Sequence, residues 1–188
     1  MRTLAIFLIL LPGLAACKDE RAESLPPPVE MTADALGHYC QMNLDEHPGP
    51  KGQIHLAGMA YPIFFSQVRD AIAYQRMPEQ NYRIEAAYVS DMATAASWEE
   101  PGADNWILAD DAFYVVGSRA VGGMGAPELV PFSDEAKAEE FVALRGGRIL
   151  RMGEIRDSDV LAPVNQTPAD PDSDYRKRLD AGATERNS

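Results

Sequence analysis

Cysteine is scarce in this chain. Its 188 residues contain two, Cys17 and Cys40. Cys17 ends the sequence Leu14–Cys17 directly after a short apolar run, an arrangement typical of a bacterial lipoprotein signal. In such a signal the cysteine becomes the new N-terminus and carries lipid on its sulfur. Cys40 is then left without a disulfide partner, and an unpaired thiol in an exported protein needs an explanation.

Basic residues are also few. The chain contains 17 Lys and Arg residues and 29 Asp and Glu residues, which gives a formal net charge of −12. This charge argues against nucleic acid as a partner, because phosphate binding needs a basic surface. It argues equally against electrostatic attraction to anionic lipid. Membrane attachment is therefore expected to come from lipid on Cys17, and several acyl chains together anchor firmly.

Long apolar runs are missing. The short run within residues 1–16 falls below the roughly 20 apolar residues that a spanning helix needs, and it follows a single positive charge at Arg2. Residues 1–16 are therefore predicted to be a cleaved signal peptide. Residues 17–33, with three consecutive prolines, are expected to form a lipid-anchored linker, and residues 165–188 a disordered tail. The protein is expected on the periplasmic side of a bacterial membrane, either inner or outer.

The segment between residues 34 and 164 repeats one order of elements, in halves at about 38–92 and 106–155. Each half predicts two strands, a helix and a third strand, with Ser66 and Ser133 as the helix N-caps. The pattern indicates an α+β fold, in which two tandem ββαβ units pack as one domain. The predicted elements are strands 53–58, 61–65 and 84–90 with helix 67–77, then strands 112–117, 128–132 and 148–152 with helix 134–145.

Familiar catalytic motifs are absent. The chain has no G-x-S-x-G, H-E-x-x-H, phosphate-binding loop or Rossmann glycine pattern. Cys40 with a histidine could form a nucleophile and base, but nothing in the sequence selects the histidine or supplies a third orienting group. A thiol-dependent hydrolase or lyase therefore remains an alternative, as does a lipoprotein scaffold that binds only protein.

Soft ligands are concentrated around Cys40. Met42 lies two residues away, and His38 and His47 are close in sequence. In an extended chain, residues two apart share a face, so His38, Cys40 and Met42 would point the same way. A thiolate beside a thioether selects Cu(I) over hard cations. The alternative is that Cys40 is a small buried hydrophobe and Met42 a core residue.

Met124 is the second unusual feature, because glycines surround it at 122, 123 and 125. This composition predicts a loop tip, from which a thioether could reach a metal held by Cys40 and Met42. Met92 follows a predicted strand and could lie near the same site. His38 and His47 are candidates for an additional ligand or for hydrogen bonding to the ligands.

Six stretches in order together resemble one family, NosL, the lipid-anchored copper-binding accessory proteins of nitrous oxide reductase. The matching stretches are Leu14–Cys17, Cys40–Leu44 with His47–Pro50, Phe65–Ala71, Tyr88–Met92, Tyr114–Ser118 and Gly122–Glu128.

The resemblance implies a tandem ββαβ fold related to that of organomercurial lyase. It implies a Cu(I) metallochaperone, not an enzyme, that passes copper to the membrane-associated maturation complex of nitrous oxide reductase. The family's metal ligands carry over to Cys40, Met42 and Met124. Family members often have glycine between the cysteine and the first methionine, where this chain has Gln41, so the turn is expected to be less free here.

Overall fold

The structure is a computed structural model that describes residues 25–163. The predicted signal peptide, the lipidation site Cys17 and the predicted C-terminal tail lie outside the described residues. Short 3₁₀ turns occur at 44–46, 109–111 and 152–154. The strands and helices are β1 (Gly52–Leu56), β2 (Ile63–Phe65), α1 (Val68–Arg76), β3 (Ile84–Ser90), β4 (Trp106–Leu108), β5 (Phe113–Val116), β6 (Val130–Phe132), α2 (Glu135–Arg145), β7 (Arg148–Arg151) and α3 (Asp157–Val160).

The two halves repeat the same topology, which confirms the predicted α+β arrangement. In the first sheet β1 lies between β2 and β3, and in the second β5 lies between β6 and β7, all antiparallel. Both helices follow the second strand of their unit. β4 was not predicted; it pairs with β3 and so extends the first sheet to Leu108. The structural boundary between the halves therefore falls after β4, not at 106.

The main apolar core joins the two halves. Val68, Ile72 and Val89 of the first half pack with Tyr114 and Leu129 of the second in one buried cluster. At roughly 1.5–3 kcal/mol for each large apolar side chain removed from water, this shared cluster strongly favours a single packed domain. Val68 and Ile72, four residues apart, lie on the face of α1 that lines this cluster.

The segment before residue 34 packs on the first sheet. The hydroxyl of Tyr88 donates to the carbonyl of Pro26, and the side chain of Gln53 pairs with both backbone groups of Val29. Met31 is buried. The packed domain therefore begins within the segment predicted to be a linker, because backbone groups there find buried polar partners that composition does not reveal.

Both predicted serine caps are wrong by one residue. The N-caps are Gln67 for α1, without a side-chain capping bond, and Asp134 for α2, whose carboxylate accepts from the Ala136 amide. The Ser133 hydroxyl instead donates to Asp91, at 2.6 Å. Each serine thus bonds to a residue distant in sequence. Among residues 25–163, no helix has the length and apolar character that crossing a membrane requires.

Candidate functional site

Cys40 lies in a tight turn, the Cys40 turn (residues 37–42). An isolated antiparallel bridge between Leu36 and Asn43 closes this turn, and the Gly37 amide donates to the carbonyl of Met42 at 3.0 Å. Gln41 has a φ of 55°, a left-handed conformation that non-glycine residues rarely adopt. The predicted extended segment is therefore wrong, and alternation along a strand does not align His38, Cys40 and Met42.

The thiol of Cys40 is half-buried against the backbone of its own turn. A Cβ on Gly37 would lie 2.4 Å from Cys40 Sγ, so only glycine leaves room for the sulfur there. Cys40 Sγ lies 3.8 Å from Ser66 Oγ, directly before α1. Met42 follows two residues later with 39% of its surface exposed. Thiol and thioether thus share one turn at the edge of the molecule.

Met124 lies at the tip of a second turn, the Met124 turn (residues 122–125), between β5 and β6. The Gly125 amide donates to the carbonyl of Gly122 at 2.9 Å, which closes a four-residue turn. Met124 is 37% exposed. Its amide donates to Gln67 Oε1 at 3.3 Å. The predicted loop position of Met124 is therefore correct.

The start of α1 connects the two turns. Ser66 contacts the thiol of Cys40, and the next residue, Gln67, accepts from the backbone of Met124. Both residues are almost fully buried, at 3% exposed each. The three sulfur-bearing residues Cys40, Met42 and Met124 thus lie in turns that meet at one helix N-terminus, although 82 residues of sequence separate Met42 from Met124.

His47 also contacts the Met124 turn. Its Nδ1 lies 3.1 Å from the carbonyl oxygen of Gly123, and because a carbonyl only accepts, Nδ1 carries the proton. Nε2 is therefore the unprotonated nitrogen of the neutral ring, and it is buried without a hydrogen-bond partner among the described residues. A histidine fixed in this way by a carbonyl presents one nitrogen as a potential metal ligand.

His38 and Met92 lie in different surroundings. The His38 ring packs against Phe65 and Tyr74, with ring centroids 5.6 and 5.4 Å apart. Met92 is partly buried against the apolar cluster of the second half, which contains Val115 and Phe132. Aromatic and core packing therefore account for the contacts that these two side chains make.

A buried carboxyl lies beneath the Met124 turn. Glu128 is 1% exposed, and its Oε1 accepts the amides of Arg69, at the start of α1, and of Leu129. Burial raises the pKa of Glu128 to about 8, although the backbone hydrogen bonds oppose the shift. Oε2 has no hydrogen-bond partner among the described residues. The carboxyl is therefore mainly neutral at pH 7.

Lys51 lies on the opposite side of the His47 segment. Its ammonium group donates to the carbonyls of His47 and Gly49, both at 2.6 Å. Burial lowers the pKa of Lys51 to about 8, while Glu128, when it is ionised, and the Asp45 carboxylate act in the opposite direction. Lys51 therefore stabilises the backbone that positions His47.

Sequence reasoning missed Ser66, Gln67 and Glu128 as residues of this site. The glycines at 122 and 123 carried the available signal, because consecutive glycines often mark a close approach of other groups. A Cβ on Gly122 would lie 2.5 Å from Glu128 Oε2 and 2.6 Å from Gln67 Oε1. In residues 25–163, no three His, Cys, Asp or Glu side chains form a group that could hold a metal ion.

Comparison with known proteins finds relatives that match most of this chain. The NosL family model matches residues 28–160. The copper-binding lipoprotein NosL of Achromobacter cycloclastes is 54% identical over 188 residues, covering 96% of each chain. The copper-binding lipoprotein NosL of Stutzerimonas stutzeri is 34% identical over 151 residues, covering 79% of this chain and 76% of that protein.

A solved structure agrees with the fold. The crystal structure of the copper chaperone NosL from Shewanella denitrificans superposes with a TM-score of 0.64 at 32% identity, covering 69% of this chain and 97% of that one. Residues 28–160, which the family model matches, contain both sulfur-bearing turns. The chain belongs to the NosL family.

Proposed function

We propose that this protein binds one Cu(I) ion through the thiolate of Cys40 and the thioethers of Met42 and Met124, and passes it to an acceptor protein. The observation that carries the proposal is the meeting of the Cys40 turn and the Met124 turn at the start of α1. Relatives at 54% and 34% identity are named copper-binding lipoproteins, which supports copper as the cargo.

The ligand chemistry favours the monovalent ion. Thiolate and thioether are soft donors, and soft donors select Cu(I) over hard cations. The two thioethers are more than a third exposed, so an acceptor's sulfur ligands can approach them directly. The copper then moves by exchange of one ligand at a time, and the protein needs no turnover chemistry.

A histidine, a water molecule or the acceptor protein would supply the fourth ligand of the Cu(I) ion. Of the two nearby histidines, His47 is the better candidate, because its unprotonated Nε2 has no other partner among the described residues. His38 is occupied in aromatic packing. Met92, packed against the second-half cluster, serves in the framework.

The destination of the copper is the assembly of the copper centres of nitrous oxide reductase, through the membrane-associated maturation complex of that enzyme. The protein acts on the periplasmic side of the bacterial membrane, where lipid on Cys17 anchors it. The acidic net charge of −12 favours a copper acceptor with a basic docking surface. A chaperone anchored in this way stays close to a membrane-bound acceptor.

A thiol-dependent hydrolase is less well supported. In the part of the chain that the structure describes, the Cys40 thiol has the hydroxyl of Ser66 as its hydrogen-bond partner. Nucleophilic catalysis by cysteine normally places an imidazole base in hydrogen-bond reach of the thiol. A serine hydroxyl has no such basicity, so this contact suits a metal ligand better than a nucleophile.

The test is a Cu(I) titration of the full lipidated protein in detergent, with a chromogenic Cu(I) chelator as competitor. Cys40→Ser keeps a hydroxyl that can contact Ser66 but removes the soft donor. We expect an affinity loss larger than the roughly 10–100-fold that outer-shell changes cause. Met42→Leu and Met124→Leu should each weaken binding, whereas Met59→Leu, at another exposed methionine, is the matched control. Wild-type affinity in Cys40→Ser would refute the proposal.

A further inference from the structure

The position of Met124 depends on contacts that lie outside its own turn. Four residues, including two glycines, allow the backbone many conformations, so the turn alone does not fix the thioether. Two described contacts hold it: Gln67 Oε1 accepts the Met124 amide, and His47 Nδ1 donates to the carbonyl of Gly123. The first of these comes from the helix that also contacts Cys40.

Gln67 is an unusual choice for its position in α1. It is the N-cap residue, but its side chain makes no capping hydrogen bond to the helix. Asn, Asp, Ser and Thr are the side chains that stabilise this position, typically by about 1 kcal/mol over residues that cannot cap. The longer side chain of Gln67 instead reaches the Met124 amide. The Gln67 side chain also hydrogen-bonds the Asp70 carboxyl in the first turn of α1, so its contact with Met124 is a role beyond any contribution to the helix.

The space around Gly122 shows that the Met124 turn packs closely against Gln67 and Glu128. A Cβ on Gly122 would lie 2.6 Å from Gln67 Oε1 and 2.5 Å from Glu128 Oε2. Glu128 in turn accepts the Arg69 amide in the first turn of α1. Gln67 and Glu128 thus both connect the Met124 turn to the start of α1.

We infer that Gln67 is a positioning residue for copper binding, which holds Met124 at the distance from Cys40 at which both sulfurs reach one ion. This inference rests on the proposed function. Gln67 does not bind the metal; it acts through the backbone of Met124, and its contribution disappears when the thioether of Met124 is absent.

The variant that separates this role from stability is Gln67→Asn. Asparagine keeps the amide but is one methylene shorter, so it no longer reaches Met124, while it is a better N-cap for α1. We expect the midpoint of thermal unfolding to stay unchanged or rise. Cu(I) affinity should fall about tenfold, as outer-shell changes do, and X-ray absorption should count two sulfur neighbours of copper instead of three.

A double-mutant cycle on the full lipidated protein completes the test. In the Met124→Leu background, Gln67→Asn should cause no further loss of Cu(I) affinity. Gln75→Asn, on the same helix with its amide bonded to Ala71, is the matched control and should bind as wild type. An unchanged affinity in Gln67→Asn, three retained sulfurs, or an equal loss with and without Met124 would each overturn the inference. If Cys40→Ser also binds as wild type, the proposed function itself fails; if only Gln67→Asn does, the function stands.

Discussion

Replacing Glu128 with glutamine should remove a specific part of the pH dependence of stability. Glu128 has a folded-state pKa of about 8 against an ordinary value of 4.5, because burial disfavours its charged form. Between these values the folded protein holds a proton that the unfolded chain releases. The stability from this group is therefore complete below pH 4.5 and is lost as the pH rises through 8.

The magnitude follows from proton linkage. One proton difference changes the free energy of unfolding by about 1.4 kcal/mol per pH unit. Between pH 5 and pH 7 the wild type should therefore lose about 3 kcal/mol relative to Glu128→Gln. The variant keeps an oxygen that accepts the amides of Arg69 and Leu129, and it does not titrate. Asp70 opposes ionisation of Glu128. Lys51 is present in both proteins, and its pKa of about 8 lies above the interval from pH 5 to pH 7.

Urea unfolding at half-unit steps from pH 5 to pH 8 measures this difference directly. The quantity to plot is the free energy of unfolding of the variant minus that of the wild type, which should rise steadily with pH. Glu139→Gln, on the exposed face of α2, is the matched control and should give a flat line. A flat line for Glu128→Gln as well would show that the buried carboxyl is already ionised near pH 5, contrary to the burial argument.

Three further predictions concern the turns and the contact between the halves. Gly122→Ala should lower Cu(I) affinity about tenfold in chelator competition, since its Cβ would lie 2.5 Å from Glu128 Oε2; full affinity would contradict the close packing. The free energy of unfolding measured in urea should be about 1 kcal/mol higher for Gln41→Gly than for Gln41→Ala, because glycine tolerates the positive φ at no steric cost. Equal free energies of unfolding would argue against backbone strain at this position. Asp91→Ala should lower the free energy of unfolding by about 3 kcal/mol, because it leaves the Ser133 amide and hydroxyl unpaired; a loss below 1 kcal/mol by urea titration would contradict the importance of this contact.

Local patterns predicted most of the strands and both longer helices, and long-range contacts explain the errors. β3 begins at Ile84 and ends at Ser90, as predicted. The serine caps failed because Ser66 and Ser133 have better partners, Cys40 and Asp91, which are distant in sequence. β4 is only three residues long, and its pairing with β3 depends on register that no local signal specifies.

The two sulfur-bearing turns, at Cys40 and Met124, show the same limit. The sequence predicted a loop at Met124 from its glycines, but the extended geometry predicted for residues 38–42 was wrong. The left-handed Gln41 closes the Cys40 turn, and sequence rules expect glycine at such a position. Where the two turns meet could not be predicted, because the contacts that join them come from Ser66, which was predicted only as a helix cap, and from Gln67, which was predicted only as the first helical residue.

The proposed function requires precise ligand positions together with easy release of copper, and different parts of this molecule would meet these two requirements. The core cluster shared by the two halves fixes α1 relative to β5 and to Leu129, which directly precedes β6, and therefore fixes the anchors of both turns. The thioethers themselves stay more than a third exposed at the surface. Two described side-chain contacts hold the Met124 turn, one from His47 and one from Gln67. Weakening the single hydrogen bond from Gln67 would free the Met124 thioether for exchange with an acceptor's sulfur. Binding strength and release rate should therefore change in opposite directions when this one contact is altered.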